Sequence, residues 1–180
     1  MVGFSLKFDK FTVQIKIKNV NLLPMNSKNQ LYLEDLSVGQ EFISAEHQVD
    51  TEQIISFASQ FDPQPFHTDP NAAKDSFFKG HVASGWHTAS MTMKLVVQSV
   101  PFANGIIGLG GEIAWPRPTM PGDILHVRSR ITEIKPSKSK PDRALVHVVC
   151  FTYNQTGEVL QELTAKLFVF RRDSLSTAVL

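Results

Sequence analysis

Between Trp86 and Gln98 the only charged residue is Lys94, and the rest of the run, His-Thr-Ala-Ser-Met-Thr-Met before it and Leu-Val-Val after it, is apolar or small nearly all the way round a helix. Such a helix cannot lie on a surface with one face in water; it must be buried on most sides, and the remaining chain has to supply the walls. Ser84 is placed to cap it, and Gly85 follows without a side chain. The first backbone N–H groups of the helix are then unpaired and approachable, so a carbonyl oxygen can dock there. The plainer reading of Gly85 is that it permits close packing.

The walls are read from the downstream half. Ile106 to Trp115 is apolar and glycine-rich, Pro116 to Asp123 is turn chemistry, and Ile124 to Ile134 alternates loosely between Leu125, Val127, Ile131 and the polar His126, Arg128, Arg130. Ala144 to Tyr153 and Val159 to Arg171 are two long strands joined by the hairpin signal Asn154-Gln155-Thr156-Gly157. Strands that follow a helix in this order predict an α+β fold. Gly108-Leu109-Gly110-Gly111 lacks dinucleotide-loop spacing and a following helix, and predicts a β-bulge or a close backbone approach.

Upstream, Asp50 and Gln53 stand as N-cap and N3, and Ile54, Phe57, Ala58 and Phe61 fall on one apolar face, which predicts a short amphipathic helix over Thr51 to Phe61. Pro63 ends it at Asp62, and Pro65 is expected to keep the following turn extended. Asp62 and His67 therefore lie five residues apart across a stiff helix exit, the spacing of an acid/base pair. Asp62 sits at the helix end that disfavours a carboxylate, and a nearby histidinium would offset this. Asp before Pro is also a common turn former, and a loop histidine is often only structural.

A chain of 180 residues with 42% apolar content suits one core-forming domain, and no apolar run approaches the roughly 18 residues of a membrane span. A net charge of +1 gives no footprint for nucleic acid; Lys135, Lys138, Lys140 and Arg143 read as a solvated hairpin loop that a coenzyme A phosphate could visit. The single cysteine, Cys150, lies in a strand pattern and fits a reducing, cytoplasmic setting. No metal spacing emerges from His67, Asp69, His81 and His87, and Ser84-Gly85 is not a nucleophile elbow. Residues 1–30 read as an N-terminal extension with no targeting signal, residues 31–172 as the domain, and 173–180 as a frayed tail.

The runs Phe57 to Ala73, Gly80 to Ala89 and Gly111 to Asp123 resemble the MaoC-like dehydratases, the group that includes the (R)-specific enoyl-CoA hydratases. The resemblance spans roughly residues 31 to 171. It implies a hotdog fold, an antiparallel sheet wrapped round one long central helix, paired with a second copy as a homodimer or dimer of dimers. It also implies catalytic roles for Asp62 and His67, which hold and activate one water, and for Gly85, whose N–H meets the thioester carbonyl. Substrate contacts carry over to Gln64, Ser84 and Trp86. Gln64 and Ser84 stand where the well-understood hydratases have Asn and His, and Met93 stands where they have a helix serine.

The implied substrate is a trans-2-enoyl-CoA or (R)-3-hydroxyacyl-CoA, with coenzyme A as part of the substrate and no separate cofactor or metal. Two other classes share the fold. A hotdog thioesterase usually carries a carboxylate on the central helix, and no Asp or Glu falls between Trp86 and Gln98. A non-catalytic acyl-CoA-binding module would have Asp62 and His67 too far apart to share a water.

Overall fold

A computed structural model describes residues 30–175. Residues 1–29 and 176–180 lie outside it, and with them most of the expected extension and tail. In chain order the elements are β1 (Glu41–Ile43), β2 (His47–Gln48), α1 (Thr51–Phe61), α2 (Pro65–Thr68), α3 (Gly85–Ser99), β3 (Ile107–Ala114), β4 (Ile124–Pro136), β5 (Arg143–Tyr153) and β6 (Val159–Phe170), with 3-10 turns at Leu33–Asp35, Ala72–Asp75 and Arg172–Leu175. One antiparallel sheet runs β1-β4-β5-β6-β3, with β2 paired to the far end of β4. This is the α+β hotdog arrangement, with α3 packed against the sheet.

Period-two burial builds the wall. Along β5, Ala144, Val146, Val148, Cys150 and Thr152 are all buried, and Leu125, Val127, Ser129 and Ile131 of β4 lie beside them. Up to Ile131 the burial of β4 alternates strictly, with the polar Ser129 on the buried face; past it the register with β5 shifts between Ile131 and Glu133, a bulge at Thr132. Cys150 is the buried strand residue expected, its thiol pushed up by burial.

The glycine run in β3 meets both of its expectations. The register with β6 shifts between Gly108 and Gly110, where Gly110 has φ of 134°, and a Cβ on Gly111 would run into the carbonyl of Thr164. In the β5–β6 hairpin, Asn154 Oδ1 accepts from the backbone N–H of Thr156 and Glu158, and Gly157 takes φ of 82°. In the β4–β5 turn Lys138 and Lys140 are exposed, while Lys135 pairs with Glu133 and Arg143 with Asp142.

Asp50 caps α1 as expected, accepting from Gln53 N–H at 2.8 Å. Ile54 and Ala58 are buried, and Phe57 stacks on His87 of α3 at 4.6 Å. Phe61 departs from the predicted apolar face: it is 68% exposed, because the helix ends where the core does. α3 departs too. His87, Thr88, Met91, Thr92, Leu95 and Val96 are buried, but Trp86, Ser90, Met93 and Val97, one stripe at i, i+4, i+7 and i+11, are exposed. A single chain walls one side of this helix. Among the described residues no helix is long and apolar enough to cross a membrane.

Candidate active site

Asp62 closes α1, its N–H reaching Ala58 O at 2.9 Å, and Pro63 stops the helix there. The expected extended turn after Pro65 is replaced by one helical turn. Gln64 precedes it and Pro65 takes the first helical position, where a missing N–H costs nothing and the fixed φ suits a helix. That turn carries His67 inward. Its ring is buried, and Nε2 lies 3.4 Å from Asp62 Oδ2.

The backbone settles which nitrogen carries the proton. His67 Nδ1 is 2.8 Å from the carbonyl oxygen of Val82, which can only accept, so Nδ1 donates. In the neutral ring Nε2 is then a bare lone pair facing a carboxylate oxygen. Two acceptors at this distance call for a hydrogen between them, either a proton held on Nε2 or a molecule that donates to both.

Asp62 is held from two sides. Ser84 Oγ donates to Oδ2 at 2.6 Å and Gln64 Nε2 donates to Oδ1 at 2.8 Å. Burial alone would raise its pKa, but these two donors and the attraction of a charged His67 outweigh it, and the carboxyl sits below its ordinary value. Ser84, almost wholly buried, also accepts the Trp86 N–H at 3.2 Å as the N-cap of α3. So the carboxylate that lies at the unfavourable end of α1 is wired to the favourable end of α3.

Of the residues expected to touch substrate, Gln64 and Ser84 both direct their donors at Asp62. Trp86 is 61% exposed, its ring edge-on to Trp115 at 5.4 Å. Gly85 opens α3 with an N–H that has no partner within the helix. Its missing side chain has a direct reason: a Cβ there would come within 2.9 Å of the Trp115 indole carbons Cδ2 and Cε2. Trp115 in turn donates Nε1–H to the buried Gln161 at 2.8 Å. Neither residue was legible as part of the site, since Trp115 reads only as the end of a strand and its contact with Gly85 spans 30 positions.

The four residues weighed for a metal do not converge. Asp69 Oδ1 accepts from Asn71 N–H, His81 bonds a backbone carbonyl, and His87 stacks on Phe57. Among the described residues no group of three or more His, Cys, Asp or Glu side chains is arranged to hold a metal ion.

Comparison with known proteins gives the family and the fold. The crystal structure of a MaoC-like dehydratase from Rhodospirillum rubrum is 57% identical, with a TM-score of 0.78, over 79% of this chain and 98% of that one. An R-hydratase from Pseudomonas aeruginosa, 24% identical, has the same fold at a TM-score of 0.65, over 79% of this chain and 88% of that one. An uncharacterized Bacillus subtilis protein, YdeM, is 29% identical over 126 residues, which is 68% of this chain and 87% of that protein. The family model described as "MaoC like domain" matches residues 35–149, and the chain belongs to the MaoC-like dehydratase family.

Proposed function

We propose that the protein adds water to a trans-2-enoyl-CoA to give an (R)-3-hydroxyacyl-CoA, or runs the reverse dehydration. The observation that carries this reading is the His67 Nε2 facing Asp62 Oδ2 at 3.4 Å, with Nδ1 tied to the Val82 carbonyl, beside the open end of α3. A water seated to one side of this pair, within reach of both acceptors, donates one hydrogen to each, which raises the electron density on its oxygen. That oxygen attacks the β-carbon, one of its protons passes to the dyad, and the electron pair of the double bond moves to the α-carbon and the thioester oxygen. A proton then returns from the dyad to the α-carbon. The two proton-transfer roles are assigned to the dyad and not to either residue.

The transient enolate oxygen needs a donor, and the Gly85 N–H supplies one at the positive end of α3. Such a donor is worth roughly 3 kcal/mol of transition-state stabilisation. The Trp115 indole beside Gly85 would form a wall of the acyl site. The thioesterase alternative has no carboxylate on α3 to carry it, and the binding-module alternative expects a wider separation of Asp62 and His67 than 3.4 Å.

A second copy of the chain completes the protein in this reading. The exposed Trp86, Met93 and Val97 stripe and the exposed edge strand β3, with Ile107 and Leu109, are apolar surfaces of the kind that pairing covers.

The test is a panel of enoyl-CoA substrates of differing chain length, followed for loss of enoyl absorbance and for free thiol. Loss of absorbance without thiol is expected. Asp62→Asn and His67→Ala should each lower the rate at least about a hundredfold in folded protein. Thiol release, or wild-type turnover by either variant, would sink the assignment.

A further inference from the structure

The segment before α3 is laced to α2 three times. His67 Nδ1–H donates to Val82 O at 2.8 Å, Val82 N–H reaches Phe66 O at 3.4 Å, and His81 Nε2 donates to His67 O at 2.8 Å. The third bond differs in kind. His81 is 8% exposed, and among the described residues its Nδ1 has no hydrogen-bond partner, so the one hydrogen bond of this buried ring found there goes to the carbonyl of the residue whose imidazole faces Asp62. An apolar side chain here would spare the unpaired ring nitrogen but would strand the His67 carbonyl that His81 Nε2 serves.

The need for such a bond lies in α2 itself. It is a single turn of four residues with no side-chain cap at its start, so little within it fixes its rotation. Rotation would carry His67 Nε2 along an arc past Asp62 Oδ2. The Val82 carbonyl holds the ring of His67 and the His81 ring holds its backbone, so residue 67 is fixed at both ends. We propose that His81 is a positioning residue of the Asp62–His67 dyad, acting through the His67 carbonyl. This rests on the hydratase reading of that dyad.

Two substitutions of the same chemistry and different reach test it. In His81→Gln the amide nitrogen extends to the place of Nε2; in His81→Asn it stops near the place of Nδ1. Each purified full-length variant is assayed for kcat and KM on a trans-2-enoyl-CoA, and the ring tautomer of His67 is read by nitrogen NMR. His81→Asn should lower kcat by about ten- to a hundredfold with KM within about twofold, the scale of a misplacement near 1 Å, and His67 should lose its single Nδ1–H tautomer. His81→Gln should keep both near wild type.

Wild-type kcat and an intact tautomer in folded His81→Asn would overturn the proposal, as would equal losses in the two variants. Should His81→Asn not fold, a folded His81→Gln that loses rate overturns it, and one that retains rate and tautomer supports it. A wild type that turns over no enoyl-CoA would remove the hydratase reading instead, and the tautomer of His67 would still judge the positioning.

Discussion

Toward the sheet, α3 presents Met91, Thr92, Leu95 and Val96, all buried, with Thr92 Oγ1 bonded to Thr152 of β5 at 2.7 Å; on its other side Trp86, Met93 and Val97 stand 61%, 44% and 44% exposed. Both sides are apolar in sequence. The difference between them teaches that composition marks a helix for burial without saying what buries it. The closed side is finished by this chain. The open side, under the dimer reading, is finished by another copy.

The largest expected effect separates the two sides directly. Leu95→Ala should lower stability by about 2–5 kcal/mol, since Leu95 is 1% exposed and its truncation leaves a cavity that the sheet cannot follow. Met93→Glu should leave the fold of the single chain intact but convert a dimer to a monomer in sedimentation at micromolar concentration, because a buried unpaired carboxylate opposes association. If the wild type is already a monomer, or if Met93→Glu stays dimeric, the open side is not the interface.

The sequence is most legible where its marks are local. Helices were read at Thr51–Phe61 and from Ser84 onward because their starts carry local marks, Asp50 with Gln53 and Ser84 with Gly85, which act within a few residues. The β3 bulge was legible for the same reason, since only glycine tolerates φ of 134° and the approach of Thr164. Asp62 and His67 were found by a spacing that spans one helix exit.

Features without a local mark act at long range or through the backbone. Ser84 reads as a cap and, by resemblance, as a substrate contact, and its bond to Asp62, 22 residues away, leaves no local mark. The Val82 carbonyl that sets the tautomer of His67 belongs to a residue whose side chain has no part in it. Pro65 is a local signal with two readings. Proline suits the first turn of a helix as well as an extended turn, and Gln64 followed by Pro65 opens α2.

A smaller effect sharpens the comparison at the mouth of α3, where the two sides meet. Gly85→Ala drives a methyl group against the Trp115 ring, an overpacking that should cost about 1–3 kcal/mol of stability. Combining it with Trp115→Leu should recover most of that loss, and thermal melts of both single variants and the double variant measure the coupling. The rate decides the rest. If stability recovers in the double variant while turnover per folded molecule stays low, the mouth of α3 contributes to chemistry beyond packing; if both recover, Gly85 serves Trp115 alone.

The smallest expected effect belongs to His87, on the closed side in the first turn of α3. Burial holds its pKa below the ordinary value; the positive charge of His47 adds to this and Asp50 opposes it. The unfolded chain, with a histidine pKa near about 6.5, therefore binds a proton more readily than the folded one, and stability should fall as pH drops below that value, levelling off once the folded-state pKa is passed. His126, also lowered by burial and by Arg128, acts in the same window. Asp62 acts in a separate one: its lowered pKa adds stability that is present above the ordinary carboxylate range near about 3.9 and is lost only as pH falls further. Melting temperatures measured from pH 8 down to pH 5 should thus decline in the wild type and decline less in His87→Phe, which keeps an aromatic ring against Phe57 without a titrating nitrogen. An unchanged slope in that variant would mean that His87 takes up its proton as easily folded as unfolded, and that the closed side of α3 is more open to water than the burial of His87 indicates.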